Sequence, residues 1–192
     1  MNLRPQILIT FLAIGSLFTG CSELSEEQSA RVEEALRDTL VSTTESWDMT
    51  MNILEDGQRK LQLKGRHATS ISRSDTQLTR IQGPVHIKVY DSTGSVTTLV
   101  RSDRAIYFSQ HSIFEFFGNV RVEAQQDRGL RSEYLKWDQN NDRVTTPRFI
   151  TITTPRDSIA GHGFSGTPDL TDYSIREVSG HVTFEQEKDT TR

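Results

Sequence analysis

Few side chains in this sequence have the types and spacing that catalysis requires. The stretch Gly161-His162-Gly163-Phe164-Ser165-Gly166 places a serine close to a histidine. The nucleophile elbow of hydrolases, Gly-x-Ser-x-Gly, needs a second glycine two residues after the serine, and this chain has Thr167 there. A catalytic serine is therefore not predicted. We interpret the glycines as positions where a strand bends or another backbone approaches closely.

The histidines and carboxylates are too scattered to predict a metal site or an acid/base pair. No two histidines have the i, i+4 spacing, and no close Cys/His pair occurs. The carboxylates fall on outward strand positions or in turns, so nothing in the sequence brings two of them together. We predict no catalytic residue, no metal and no cofactor. The residues considered are His67, His86, His111, His162 and His181, with Asp103, Glu115, Glu133 and Asp138.

Cys21 is the only cysteine, which rules out an internal disulfide. It follows a basic Arg4, an apolar run over residues 7–18 and the small residues Thr19 and Gly20. This order is typical of a secretory signal, and its end resembles the bacterial lipobox. The resemblance implies that residues 1–20 are a lipoprotein signal peptide and that Cys21 is acylated, which would tether the protein to a membrane. An uncleaved anchor or an ordinary secretory signal is the alternative.

Residues 21–46 are predicted to be a lipid-anchored helical and linker segment. Ser25-Glu26-Glu27-Gln28 has the form of a capping box with acidic residues in the first turn. Apolar residues then recur at helical spacing, which predicts a short amphipathic helix from Glu26 to about Leu40. Its apolar stripe either docks on a membrane partner or packs on the domain that follows. The stripe consists of Val32, Ala35, Leu36 and Leu40.

From Trp47 the hydrophobic period changes to two, which predicts a single all-β domain over residues 47–187 and a polar tail over 188–192. The clearest hairpin runs from Leu99 to Glu123. Its apolar side chains share one parity, which indicates a strand with one apolar and one wet face, Phe117 being the exception. The apolar set is Phe114, Phe116, Val120 and Val122, and the polar set is Glu115, Arg121 and Glu123.

This hairpin pattern recurs about every 30 residues, a period typical of stacked supersecondary repeats. Each copy begins at a small residue and reaches an aliphatic anchor in its second strand. One hairpin cannot bury its apolar face alone, so the copies must stack. His86 and His181 take equivalent outward positions in two copies. The small positions are Gly65, Ser102, Ser132 and Gly161, and the glycines preceding the anchors are Gly83, Gly118 and Gly180.

Composition and charge narrow the class of partner. The hydrophobic fraction is 34% and the net charge is −4. A low apolar fraction with alternating strands favours a thin β structure over a thick globule. Basic residues form no run along the sequence, so nucleic acid is not predicted as a partner.

The repeats resemble a known family. Gly118-Asn119-Val120-Arg121-Val122, then Leu130-Arg131-Ser132-Glu133-Tyr134-Leu135, and later Ile159-Ala160-Gly161-His162-Gly163-Phe164 followed by Pro168-Asp169-Leu170, look like the periplasmic C component of the lipopolysaccharide-export machine. That component is the LptC-like member of the OstA-type β-jellyroll family, here in a lipoprotein form. The resemblance covers about Trp47 to Phe184.

The resemblance implies an open, twisted β-jellyroll of stacked hairpin repeats. It would bind lipopolysaccharide in an apolar groove, receive it from the inner-membrane ABC transporter and pass it to the next bridge protein, component A. The expected location is the periplasm, lipid-anchored at the inner membrane, with the outer membrane as an alternative. The groove residues are Val85, Ile87, Val89, Phe114, Phe116, Val120, Val122, Tyr134, Ile150, Ile152, Val182 and Phe184, and the structural glycines are Gly83, Gly118, Gly161, Gly163 and Gly180.

Two other functions stay open at this point. One is a structural outer-membrane lipoprotein that only binds protein and has a closed β core. The other is a periplasmic hydrolase built on a β scaffold.

Overall fold

The structure is a computed structural model that describes residues 26–39 and 41–183. It contains one helix, α1, and nine strands, β1 to β9, within those residues. The described helix is neither long nor apolar enough to cross a membrane. The bounds are α1 Glu26–Thr39, β1 Ser42–Glu55, β2 Gln58–Ser72, β3 Gln77–Tyr90, β4 Val96–Phe108, β5 Ile113–Ala124, β6 Arg128–Asp138, β7 Arg143–Thr153, β8 Asp157–Gly166 and β9 Tyr173–Thr183.

The predicted helix is confirmed. It starts at Glu26, and Glu26 and Glu27 occupy the first turn, where the positive end of the helix dipole favours carboxylates. Val32, the first member of the apolar stripe, is exposed. The other members of the stripe lie where side chains are not described, as do Cys21 and the signal segment. The helix and the strands belong to two different compact units.

The nine strands form one antiparallel sheet in which every strand pairs with its sequence neighbours. The predicted all-β fold of stacked hairpins is therefore confirmed. The sheet is open, with β1 and β9 as its edges. The sheet begins earlier than the sequence suggested, because β1 starts at Ser42 and not at Trp47. The Ser/Thr-rich link is a strand paired with Ala68 to Ser72 of β2.

Every strand pair from β2–β3 to β8–β9 loses its regular register near the middle. Such interruptions bend the strands and increase their twist. The bend crosses the strands and divides the sheet into two halves. Half 1 contains the strand ends that lie on the side of the β3–β4 turn, and half 2 contains the strand ends that lie on the side of the β4–β5 turn. The two halves face each other, since Thr98 at the start of β4 in half 1 donates from Oγ1 to the carbonyl of Pro168 in the β8–β9 loop of half 2, at 3.4 Å.

The residues on the inside of the bend alternate between small and aliphatic. Strand register pairs them directly at four of the five strand boundaries, and at the fifth, between β4 and β5, Ser102 and Val120 follow the Arg101–Arg121 pair at the interruption. Small side chains on the even-numbered strands leave room for aliphatic side chains on the odd-numbered strands. This packing explains why the predicted repeat combines a small residue with an aliphatic anchor. We call this set the inner row: Val85, Ser102, Val120, Ser132, Ile150 and Gly161.

The two serines of the inner row are buried and bond to backbone carbonyls beside the interrupted ladder. Ser102 Oγ donates to the carbonyl of Arg104 at 3.0 Å. Ser132 Oγ donates to the carbonyl of Phe149 at 2.9 Å. A buried carbonyl without a partner costs free energy, so these hydroxyls replace bonds that the bend removes.

Four of the five predicted structural glycines are required by the structure. Gly118 and Gly163 have φ angles of 74° and 73°, which favour glycine. A Cβ on Gly83 would lie 2.5 Å from the carbonyl oxygen of Asp103, and one on Gly161 would overlap the carbonyl of Glu177. The prediction for Gly180 is wrong, because nothing lies within 4 Å of its Cβ position.

The serine bonds lead to a stability prediction. We expect Ser132→Ala to lower the free energy of unfolding by about 1–3 kcal/mol, because the Phe149 carbonyl is left without its donor. Urea denaturation measures this, with Ser92→Ala in the exposed β3–β4 turn as the matched control. Equal stability of the two variants would show that the hydroxyl is not needed at the bend.

Candidate functional site

Most of the predicted groove residues share the inner face of the sheet. Phe114, Phe116, Ile150 and Ile152 are 0% exposed. Val89 packs against the same core and is half-buried. The sequence parity therefore placed these side chains on the correct face. The other buried groove residues are Val85, Ile87, Val120 and Val122.

Tyr134 does not belong to this set. It lies opposite Phe117 on the outer face, and the two ring centroids are 5.3 Å apart. The parity changes because the β6–β7 register is broken between Ser132 and Lys136, which turns Leu135 inward instead. Burial raises the pKa of Tyr134, and the nearby carboxylate of Glu115 raises it further.

Val182 is also misplaced by the sequence pattern. It is 58% exposed and pairs with Ser158, away from the core. The register of β8–β9 shifts between Ala160 and Gly161, and the extra residue in β9 reverses the faces. His181 therefore pairs with Ile159, which packs on the core, so its register position is inward and not outward as predicted, although its side chain is 51% exposed at the sheet edge. Its Nε2 lies 3.1 Å from Asp157 Oδ1.

His86 faces outward as predicted, between Lys64 and Arg101. Phe184, the last predicted groove residue, lies outside the described residues. The register confirms the outward positions of Arg121 and Thr151, which both pair with Arg131.

Stacked aromatic side chains fill the inner face of half 2. The centroid of Phe114 lies 4.2 Å from that of Tyr107 and 5.9 Å from that of Trp137. Phe116 continues the stack along β5 at 5.9 Å from Phe114. Since Phe114 and Phe116 have no exposed surface, the interior is packed and must open before it can hold a ligand.

One polar atom in this packed interior has no protein partner. Trp137 Nε1 is buried and is not hydrogen-bonded to any described group. An unpaired buried donor costs free energy, so it is a site where an oxygen acceptor would be favoured.

The β8–β9 loop holds the two halves together at their free ends. Leu170 in this loop is 0% exposed although its φ is 58°, which is unusual for leucine. Burial raises the pKa of Asp169, but hydrogen bonds from Thr167 and Thr171 and the charge of Arg128 outweigh it, so the pKa lies below its ordinary value. Arg128 belongs to half 1. The loop is thus a closing contact between the halves.

The edge strands leave two openings. At β1 the inner side chains Met49, Met51 and Ile53 are only partly buried. At β9 Val178, which pairs with Gly161 of the inner row, is exposed. An exposed edge strand presents unpaired backbone groups that can pair with another strand.

The candidate chemical residues do not converge. His162 packs edge-on against Phe149 at 5.1 Å, while Ser165 lies opposite Thr145 and Ser174. In the described part of the chain, no three His, Cys, Asp or Glu side chains are placed to hold a metal ion.

Comparison with known families identifies this architecture. A family model described as lipopolysaccharide-assembly, LptC-related, matches residues 8–182. The chain belongs to the LptC family. LptC proteins are transport proteins of lipopolysaccharide assembly, and the family places this chain in the periplasm in association with the inner membrane. No curated protein matches the chain.

The closing contact gives a prediction. We expect Leu170→Ala to lower the free energy of unfolding by about 2–5 kcal/mol and to speed amide exchange at the start of β4, because the halves lose their buried contact. Denaturation and hydrogen exchange measure these effects. Leu54→Ala, at a residue that is 61% exposed, is the control. Unchanged exchange around Thr98 would show that the loop does not hold the halves together.

Proposed function

We propose that this LptC-family protein binds the acyl chains of lipopolysaccharide between half 1 and half 2 of its bent sheet. It receives the lipid from the inner-membrane ABC transporter and passes it to the next β-jellyroll protein, component A. The observation that carries the proposal is the one-sided inner face, on which apolar side chains line seven of the nine strands, from β2 to β8. Acyl chains in water cost about 25 cal/mol per Å² of apolar surface, so a continuous apolar path favours transfer.

The closed interior is the resting state in this proposal. Entry of a lipid requires the two halves to separate at the free ends, where the Thr98–Pro168 bond and Leu170 join them. The bend acts as the hinge, since its ladder bonds are already interrupted. No catalytic residue is needed because the transporter supplies the energy.

The unpaired donor of Trp137 favours a lipid with oxygen acceptors over a plain hydrocarbon as the ligand. Its Nε1 is the unpaired donor in the interior. The ester, amide or hydroxyl oxygens near the head of an acylated sugar are acceptors that could take this hydrogen bond. The indole therefore gives the otherwise apolar path one point of polar recognition.

The edges and the anchor complete the proposal. Strand addition at β1 and β9 would join the sheet to the β-jellyrolls on either side. Acylation at Cys21 would hold the domain at the inner membrane. A globomycin-sensitive shift in mass would test that step.

Photo-crosslinking tests the proposed path. A photo-reactive amino acid at Phe116, Val120 or Ile152 is expected to capture lipopolysaccharide in cells. The same group at Arg121 or Thr151, on the outer face, is the matched control. Capture confined to the outer positions would falsify the assignment of the inner face.

Two variants test passage through the interior. We expect Val120→Asp, which puts a charge in the core, and Gly161→Arg, which overlaps the Glu177 carbonyl, to stop transfer or assembly. Outer-membrane lipopolysaccharide is measured in cells that express only the variant. Normal levels with folded protein would contradict the proposal.

Trp137→Phe tests polar recognition separately. It removes the unpaired donor, so we expect equal or higher stability but several-fold weaker binding of lipopolysaccharide, with a simple detergent bound as before. Thermal unfolding and equilibrium binding measure both effects. If the variant loses detergent and lipopolysaccharide binding equally, Trp137 acts only through packing.

A protein-binding role with a closed core is the second candidate, because the interior is packed. It predicts that no inner position captures lipid while the edge strands still capture a protein partner. The crosslinking experiment therefore separates the two functions.

A further inference from the structure

A row of basic side chains crosses the outer face of half 1. Strand register places its members directly opposite one another on five neighbouring strands, β2 to β6, and all of them are exposed. Since neighbouring strands lie about 4.8 Å apart, the row is roughly 19 Å long. We call this set the basic row: Lys64, His86, Arg101, Arg121 and Arg131.

The basic row works against folding stability. Arg101, Arg121 and Arg131 lie directly opposite one another on β4, β5 and β6, and like charges in such positions repel each other. Within the described residues, Arg101 is the member of the row that has a carboxylate partner, Glu123 at 2.8 Å. Arg121 and Arg131 form no ion pair among the described residues. Their charges are therefore available to an anionic partner.

Aromatic side chains lie beside the basic row along the outside of the bend. Phe149 is 48% exposed. Phe117 and Tyr134 contact each other, and the guanidinium of Arg104 lies 6.0 Å from the Phe117 ring centroid. We call Phe117, Tyr134 and Phe149 the aromatic patch.

The basic row and the aromatic patch meet in a depression of about 980 Å³. Arg104, Arg121, Arg131 and Arg148 line it, and among its described lining residues Glu133 is the one carboxylate. Asp103 also lies at the bend, where it accepts a hydrogen bond from Asn119 Nδ2 at 2.8 Å. Basic groups therefore outnumber carboxylates on this surface, although the whole chain has a net charge of −4.

We propose that this outer surface docks on a membrane leaflet that contains anionic phospholipids. The basic row would contact the phosphates, and the aromatic patch would lie at the level of the head groups, where Trp and Tyr are enriched in membrane proteins. A leaflet presents phosphates at every position along the row. An acidic protein would need carboxylates at a matching spacing.

This orientation leaves the lipid path accessible. The docking surface is the outside of the bend. The interior is closed by Leu170 and the Thr98–Pro168 bond at the free ends of the strands, away from the bend. The proposal is independent of the proposed function, since none of the basic and aromatic side chains that it invokes lies on the inner face of the sheet.

A fluorescence experiment on the full chain tests the docking. Cys21→Ser supplies the background, and the dye NBD is attached at Phe149→Cys, or at Ser92→Cys in the β3–β4 turn as the control position. On vesicles of phosphatidylglycerol and phosphatidylethanolamine we expect a blue shift and quenching by lipid nitroxides at position 149 and neither at position 92. On phosphatidylcholine vesicles we expect no blue shift and no quenching at position 149 or at position 92. An absence of signal on anionic vesicles without other proteins would overturn the proposal in favour of an acidic protein partner.

Charge variants test the basic row. We expect Arg121→Gln with Arg131→Gln to raise the anionic lipid needed for a half-maximal NBD shift by about 25-fold, or fivefold per charge. The control is the pair Arg73→Gln with Arg156→Gln in two exposed turns, which changes the net charge equally. We expect this pair to leave the anionic lipid needed for a half-maximal NBD shift unchanged. Equal effects of the two pairs would mean that net charge, and not this surface, drives binding. Arg121→Gln is expected to raise Tm through relief of repulsion, so misfolding cannot account for the loss.

Discussion

The whole β domain depends on the bend that runs across the middle of its strands. A single sheet has two faces, and this sheet buries one of them by folding half 1 over half 2. The bend requires that ladder bonds be interrupted in seven neighbouring strand pairs. The inner row makes this possible, since small residues on the even strands admit the aliphatic residues of the odd strands. The hydroxyls of Ser102 and Ser132 replace part of the lost backbone bonding.

The same constraint produces the site. Because both halves are parts of the same strands, the interior is a long seam closed on one side by the bend. On the other side it is closed only by a loop, through Leu170 and the Thr98–Pro168 bond. A seam of this kind can open along its free side without any strand leaving the sheet. The interior can therefore be filled by side chains when it is closed and still open to carry a lipid.

The sequence predicted the features that depend on alternation. Phe114, Phe116, Val120 and Val122 were assigned to the buried face, and their positions are confirmed. The small position of each repeat was visible at Ser102 and Ser132. Its structural reason, the inside of a bend, became clear only from the register.

The errors occur where parity breaks. Tyr134 and Val182 follow the bend of β6 and the bulge of β9, and neither irregularity can be read from alternating hydrophobicity. The start of β1 at Ser42 was missed because serine and threonine there resemble a linker, although threonine suits a strand. The basic row was invisible for a related reason. Its members lie far apart in the sequence, and only cross-strand register brings them together.

The central claim is that the halves of the sheet separate to admit lipid. Spin labels at Ser92→Cys in half 1 and Asp172→Cys in the β8–β9 loop of half 2, in a Cys21→Ser chain, report the distance across the free ends by pulsed electron paramagnetic resonance. Addition of lipopolysaccharide is predicted to lengthen and broaden this distance distribution. An unchanged distribution with lipopolysaccharide bound would contradict the account.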